Sequence, residues 1–273
     1  MTSVNAQLND WTSSAATKQP AFCDLVPNAT ERLLMLDYDG TLAPFVKDRD
    51  HAYPYPEIPE LIDELMRHCG TRVVVVSGRE ADEIPFLLRT SRPIEVWGCH
   101  GLERHKPDGS YWRAPLSAEV EEAFSCVGRD LARAGMSTLS EVKAGGVAVH
   151  WRGLTPLYAQ EVKGTAYQLF SKYVNIPGLL LQAFDEGVEL RLKGCNKAEA
   201  VRTLLAECSD DAAIAYLGDD TTDEDAFRAL AGRGISILVR PTFRFTAAQF
   251  WIQPPVELIG FFRAWIRACK EGE

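Results

Sequence analysis

The chain lacks any apolar stretch approaching the roughly 20 residues that a membrane-spanning helix needs. It also lacks a basic excess: 29 Lys and Arg stand against 38 Asp and Glu, a net charge of −9. An acidic surface argues against nucleic acid or an anionic membrane as the main partner, while a local basic pocket can still hold a small phosphorylated ligand. No Cys-x-x-Cys pair occurs, and the 7 cysteines (Cys23, Cys69, Cys99, Cys126, Cys195, Cys208 and Cys269) are odd in number and scattered, which excludes a disulfide framework or a structural zinc site and predicts reduced thiols. The first residues are rich in Ser, Thr, Ala and Asn without a charged and then apolar signal pattern, so residues 1–30 are expected to be a flexible lead-in of a cytoplasmic protein.

What is present is a composition suited to a soluble globular enzyme or binding protein, with 46% hydrophobic and 25% charged residues over 273 positions. That length allows one large domain or two ordinary ones. Leu33-Leu34-Met35-Leu36 predicts a strand, residues 56–68 a helix with Leu61, Ile62, Leu65 and Met66 on one face, and Val73 to Val76 a second, fully buried strand. This β-α-β rhythm predicts a parallel sheet. It returns after Val188, with helices over 196–208 and 222–230 and strands over 212–217 and 235–239. Between the halves the texture changes. Lys106-Pro107-Asp108-Gly109 predicts a turn, Val147 to Arg152 a half-exposed strand, 118–134 and 156–174 helices, and Leu179 to Phe184 another strand. The expected organisation is a core of residues 31–104 and 186–273 with an α+β domain, 105–185, inserted opposite the carboxyl edge of the sheet, where ligands bind in open α/β folds.

Four segments fall at that edge. Asp37-Tyr38-Asp39-Gly40-Thr41-Leu42 places two carboxylates one residue apart just after the first strand. Taken alone they can be solvated acids of an Asp-Gly turn, or a pair that needs a cation or proton between them. Ser77-Gly78-Arg79 follows the second strand and offers a hydroxyl, a close backbone approach and helix-start amides, an anion cradle or a plain N-cap. Lys193 and Lys197 precede a helix. Gly218-Asp219-Asp220-Thr221-Thr222-Asp223-Glu224-Asp225 carries more acids than a cap requires. Acids without histidine are hard oxygen ligands suited to Mg²⁺. Together these predict phosphoryl transfer, with Asp37 attacking phosphorus and Asp39 serving as general acid and base.

These segments, in this order, resemble the haloacid dehalogenase superfamily. Leu36 to Pro44, Val76 to Arg79, Gly98-Cys99-His100-Gly101-Leu102-Glu103, Val149 to Arg152, Glu189-Leu190-Arg191, Asn196-Lys197 and Leu217 to Phe227 resemble its trehalose-6-phosphate phosphatase branch. The resemblance implies an α/β, Rossmann-like core with a parallel sheet and an inserted α+β cap of the C2B type. It implies Mg²⁺ held by Asp37, the Asp39 carbonyl and Asp219, with Asp220 or Asp223 in support. It further implies phosphate binding by Ser77 and Lys197, with Lys193 as the alternative lysine, and substrate contacts at Arg79, His100, Glu141, Lys143, Arg152 and Glu189. The implied reaction is hydrolysis of trehalose 6-phosphate. Phosphatases of sucrose, glucosylglycerol or glycosyl-phosphoglycerate phosphates, a phosphosugar mutase and a silent sugar-phosphate sensor remain alternatives. The implied partner is a small sugar phosphate, with no nucleic acid and no membrane, and a monomer is expected. Ala198, Cys99 and Trp151 depart from the family pattern, the last two on the expected sugar side.

Overall fold

Alternation along the central strands decides which layer each side chain joins. In the computed structural model, which describes residues 22–271 apart from Lys47, β1 (Arg32–Leu36) sends Leu34 and Leu36 to one face of a sheet and Leu33 and Met35 to the other. β2 (Arg72–Val76) divides in the same way, Val73 and Val75 against Val74 and Val76. Both faces are therefore apolar, which only a sheet covered by helices on both sides can accommodate. The first face is packed by the helices Phe22–Asn28, Ile58–His68, Glu83–Leu88 and Val256–Glu271, and the second by Lys197–Ala206 and Glu224–Leu230. Burying the four side chains Leu33 to Leu36 contributes about 1.5–3 kcal/mol each, comparable with the ~1–2 kcal/mol per residue that ordering their backbone costs, so the strand holds only between its neighbours.

The remaining strands are β3 (Glu95–Gly98), β4 (Glu103–His105), β5 (Tyr111–Arg113), β6 (Ser140–Lys143), β7 (Gly146–His150), β8 (Leu179–Phe184), β9 (Gly187–Leu192), β10 (Ala213–Gly218), β11 (Ile235–Val239) and β12 (Phe250–Ile252). One sheet has eight strands in the order β12-β11-β10-β1-β2-β3-β4-β5. It is parallel from β12 to β3 and antiparallel at β4 and β5. Strands β1 and β10 lie side by side at its centre, so the acids that follow them meet at one edge. A second, antiparallel sheet runs β6-β7-β9-β8. Its Val147, Val149, Val188 and Leu190 pack on the helices Ala118–Arg133 and Pro156–Phe170 through Phe124, Val127, Ala166 and Phe170, a core of its own.

Several expectations are corrected. Residues 1–21 of the expected lead-in lie outside the described residues, but Phe22–Asn28 is a helix that buries Val26 against the core. The texture boundaries at 105 and 185 shift. Tyr111–Arg113 pairs with the large sheet and Gly187–Leu192 with the small one, so the small sheet and its helices span 118–192. Hydrophobic alternation could not reveal this, because β5 is exposed along its whole length and β9 is buried along most of its own. The helix Val256–Glu271 was not anticipated, although Leu258, Phe261, Phe262, Trp265, Ile266 and Cys269 follow helical spacing. Cys69, Cys99, Cys126, Cys195, Cys208 and Cys269 are free thiols, and Cys23 lies where no side chain is described. Among the described residues no helix is long and apolar enough to cross a membrane.

Candidate active site

Asp37 continues the parity of Leu33 and Met35, and its backbone N–H donates to the Leu217 carbonyl at 2.8 Å, which ties the ends of β1 and β10 together. The residue is 4% exposed. Asn196 caps the helix Lys197–Ala206 by accepting from the Glu199 N–H, so Lys197 occupies the first helical position. A lysine is unfavourable there, at the positive end of the helix dipole. It is held by two carboxylates: the Nζ lies 2.6 Å from Asp37 Oδ1 and 2.7 Å from Asp223 Oδ1. Asp223 in turn accepts from the Tyr216 hydroxyl at 2.6 Å and from the Asp219 and Asp220 N–H groups at 3.0 Å each. Every lone-pair direction of Asp223 is thus occupied, which makes it a positioning group.

Two glycines make the cluster possible. A Cβ on Gly40, whose φ is +86°, would lie 2.3 Å from Asp219 Oδ2, and one on Gly218 would lie 2.4 Å from Asp223 Cγ. Asp219 is 2% exposed, and its Oδ1 has no hydrogen-bond partner among the described residues. Oxygens of Asp37, Asp219 and Asp223 lie within 4.8 Å of one another. Three buried carboxylates and one ammonium leave two negative charges uncompensated, a costly arrangement in a dry site. The titration behaviour follows from that imbalance. Burial pushes the Asp37 carboxyl up towards about 7 against the pull of Lys197. Burial, then Asp37 and Asp223, push Asp219 well above the carboxylate range. Burial alone would lower the Lys197 ammonium, but Asp223 and Asp37 together hold it above its usual value. The single lysine is strongly stabilised because it has two partners, whereas each acid has only a share of it. An all-oxygen donor set with one unpartnered oxygen fits a hard divalent cation.

Asp39 lies beside this cluster with both oxygens held by Arg79, from Nε at 2.7 Å and Nη2 at 2.7 Å. Arg79 is itself buried and also reaches Glu83 at 3.3 Å. Ser77 is buried, and its Oγ accepts from the Arg79 N–H at 3.1 Å. Above these groups opens a cavity of about 360 Å³, lined from below by Asp37, Asp39 and Lys197 and from the small sheet by Glu141, Lys143 and Glu189. Register explains that second group. Glu141 pairs with Ala148, and Ala148 with Glu189, so all three share the face opposite the Val147 and Val149 core. Glu189 Oε2 lies 3.3 Å from His100 Nε2 and Lys143 Nζ lies 3.4 Å from Glu141. Burial lowers the His100 imidazole, leaving it neutral near pH 7.

The match to the trehalose-phosphatase family model covers residues 35–248, from the end of β1 through the acidic site and beyond. The chain belongs to the trehalose-phosphatase family. It is 30% identical to a trehalose-phosphate phosphatase of Mycobacterium marinum over 84% of this chain and 60% of that protein. It is 27% identical to a probable trehalose-phosphate phosphatase of rice over 98% of this chain and 79% of the relative. It is also 29% identical to a trehalose-phosphate synthase of Dictyostelium discoideum, of which it spans 26%. Among solved structures it shares its fold with the C-terminal domain of a Candida albicans trehalose-6-phosphate phosphatase, with a TM-score of 0.75 and 20% identity over 93% of this chain and 97% of that one. It shares it also with the C-terminal domain of a trehalose synthase regulatory protein of the same organism, with a TM-score of 0.67 and 14% identity over 94% and 97%. It shares that fold also with a haloacid dehalogenase-like hydrolase of Bacteroides thetaiotaomicron, with a TM-score of 0.62 and 15% identity over 87% of this chain and 99% of that one.

The structure brings Asp37, Asp39, Arg79, His100, Glu141, Lys143, Arg152, Glu189, Lys197, Asp219 and Asp220 to one cavity, with Ser77 and Asp223 directly behind. Asp220 does not turn to the cluster. Its Oδ1 caps Thr221 and its Oδ2 accepts from the Asp185 N–H at 3.2 Å. Lys193 is exposed and does not line the cavity, which separates it from Lys197. Arg152 lies over the Phe45 ring at 3.7 Å and bonds Glu186 at 2.8 Å. Neither Cys99 nor Trp151 lines the cavity; Trp151 packs against the small-sheet core.

Sequence reasoning missed Tyr216, Arg49, Arg240 and Arg244. Tyr216 carried a signal, since a hydroxyl in an apolar strand needs a partner. Arg240 and Arg244 follow β11 at the same sheet edge; Arg244 donates to the carbonyls of Asp219 at 3.2 Å and Asp220 at 2.7 Å, and Arg240 reaches Asp185 at 3.4 Å. Arg49, which pairs with Glu141 and Glu83, carried none.

Burial would raise the Glu189 carboxyl, but His100, Lys143 and Arg191 outweigh it and lower it from 4.5 to about 2. A depressed carboxylate stabilises the fold fully above the unfolded value of 4.5 and loses that contribution as pH falls towards 2. Urea midpoints measured across this window should fall more steeply for the wild type than for Glu189→Gln. Parallel declines would contradict the assignment.

Proposed function

We propose that the protein is a Mg²⁺-dependent phosphatase that hydrolyses trehalose 6-phosphate through a phosphoryl group carried on Asp37. The observation that carries this reading is the buried cluster of Asp37, Asp219, Asp223 and Lys197 at the floor of a cavity whose roof offers hydrogen-bonding groups to a sugar. Asp37 and Asp219 would hold Mg²⁺ with the Asp39 carbonyl, and Asp223 would fix the loop. The ion would supply charge neutralisation for an anionic phosphate, which otherwise repels a carboxylate nucleophile.

The chain's own groups provide the rest. Lys197 orients Asp37 and, with Ser77, receives phosphate oxygens. Asp37 donates an electron pair to phosphorus, and the bond from phosphorus to the sugar oxygen breaks. Asp39 gives that oxygen a proton, so the sugar leaves as a neutral alcohol. Water then attacks the same phosphorus while Asp39 takes its proton, and Asp37 is regenerated as inorganic phosphate departs. In the resting arrangement Arg79 binds both Asp39 oxygens, so the acid step requires one of those bonds to open. We assign the small sheet and its helices the role of a cap, with Glu141, Lys143, His100 and Glu189 reading sugar hydroxyls through charged and neutral hydrogen bonds.

Two outcomes are expected. With Mg²⁺, phosphate release from trehalose 6-phosphate should exceed that from sucrose 6-phosphate and glucose 6-phosphate by about 10²-fold or more in kcat/KM, and Asp37→Asn should lose at least about 10³-fold. Comparable turnover of all three sugars would reassign the substrate, and an active Asp37→Asn would exclude the covalent route. Asp219→Asn removes one uncompensated charge, so its melting temperature without metal should rise, while the upward shift that Mg²⁺ gives the wild type should vanish. An undiminished Mg²⁺ shift in that variant would remove Asp219 from the metal site.

A further inference from the structure

Glu103 is a buried acid that does not line the cavity and that the proposed mechanism leaves unused. It opens β4 directly opposite Gly98, the last residue of β3, and is 6% exposed. Its oxygens accept from three neutral donors. Oε1 takes the Ala81 N–H at 2.6 Å and the Cys99 thiol at 3.8 Å, and Oε2 takes the Tyr111 hydroxyl at 3.0 Å. A buried carboxyl among neutral donors gains little from charge; what it offers is two acceptors in a fixed place.

Those acceptors join two turns that line the cavity through Gly78, Arg79 and His100. Ala81 closes the segment that follows β2, and Cys99 opens the turn Cys99–Gly101 that follows β3. The turns are also tied to one another, because the Cys99 N–H donates to the Arg79 carbonyl at 2.7 Å and the His100 N–H to the Ser77 carbonyl at 2.8 Å. Cys99 and His100 both have positive φ, +47° and +57°, a conformation that persists only where the surroundings impose it. The approach is close enough that a Cβ on Gly98 would lie 2.5 Å from Ala81 N and 2.6 Å from Glu103 Oε1. From the outer side Tyr111 of the edge strand β5, diagonal to Glu103 in register, holds the second oxygen.

Arg79 lies between these anchors, and its side chain binds both Asp39 oxygens at 2.7 Å. Without Glu103 the Ala81 N–H would be a donor with no acceptor, and the backbone carrying Arg79 would move to satisfy it. We infer that Glu103 is a positioning residue: it clasps the turns after β2 and β3, fixes the backbone of Arg79 and thereby sets the orientation of Asp39. The kinetic consequence rests on the phosphatase function proposed above; the clasp itself does not.

Two readouts test this. In wild-type protein labelled with ¹⁵N, the Ala81 amide proton should lie downfield of the random-coil range and exchange slowly, and Glu103→Ala should move it upfield. In phosphate release from trehalose 6-phosphate, Glu103→Ala should lower kcat about 10²-fold with KM changed less than about threefold. Glu103→Gln, which keeps an acceptor for Ala81, should stay within about threefold of the wild type. In an Arg79→Ala background the change Glu103→Ala should alter kcat less than about threefold, since its effect passes through Arg79. A wild type without turnover would contradict the proposed function and not the clasp, which the amide signal then decides. An Ala81 signal at random-coil position in the wild type, or unmoved in Glu103→Ala, would overturn the inference. So would an undiminished loss in the Arg79→Ala background, or a Glu103→Gln variant as impaired as Glu103→Ala, which would make charge opposite Arg113 and not acceptance from Ala81 the operative feature.

Discussion

One ammonium group shared between two buried carboxylates holds this site together. Lys197 is placed at a helix start where the dipole opposes it, and it remains there because Asp37 and Asp223 face it from the ends of two strands and their following loops. Removing one partner of a buried pair typically costs about 3–5 kcal/mol, more than any single surface contact contributes, so this contact outranks the peripheral ion pairs in positioning the edge. Its insufficiency is equally informative. Lys197 satisfies Asp37 and Asp223 but leaves Asp219 without a counter-charge and with an unpartnered oxygen. Three acids buried around one cation are relieved either by protonation, towards which burial pushes Asp37 and Asp219, or by a further positive charge, and a divalent ion fits that second need.

Fold likeness does not settle the chemistry. The same architecture appears in a solved phosphatase domain and in a solved regulatory domain, both at low identity. The chemistry rests instead on Asp37, Lys197, Asp219 and Asp223, which this chain brings together at the carboxyl edge. The small sheet adds a constraint of its own. Because side chains alternate, the strands that bury Val147, Val149, Val188 and Leu190 present Ala148 and Glu189 to the cavity, with Glu141 of β6 in the same row, and a one-residue slip would exchange an apolar core for a charged one. Packing and recognition are therefore fixed by one register.

The parts of this arrangement visible in the sequence are those that local rules govern. Leu33 to Leu36 and Val73 to Val76 read as buried parallel strands, and the acids beyond them are placed by strand polarity alone. The resemblance preferred Lys197 and kept Lys193 as the alternative; in three dimensions the Asn196 cap opens the helix at Lys197, whose Nζ meets Asp37, while Lys193 is exposed. Asp220 was misleading for the same reason: adjacent to Asp219 in sequence, it turns the other way to cap Thr221 and to meet Asp185 across the cavity. Arg49 reaches the site from a single 3-10 turn, Arg49–His51, and Arg244 from a loop, both too short for periodicity to constrain a side chain. The helix Phe22–Asn28 was hidden by its short length and by Pro27, and its evident support is burial against the core.

The account rests on phosphorus passing through Asp37, two displacements in succession. That is tested most directly by the stereochemical course of the reaction on trehalose 6-phosphate made chiral at phosphorus with sulfur and heavy oxygen isotopes, hydrolysed in isotopically labelled water. Two in-line displacements, the first by Asp37 and the second by water, predict net retention of configuration. Net inversion would mean that water attacks the substrate directly and would contradict the role assigned to Asp37.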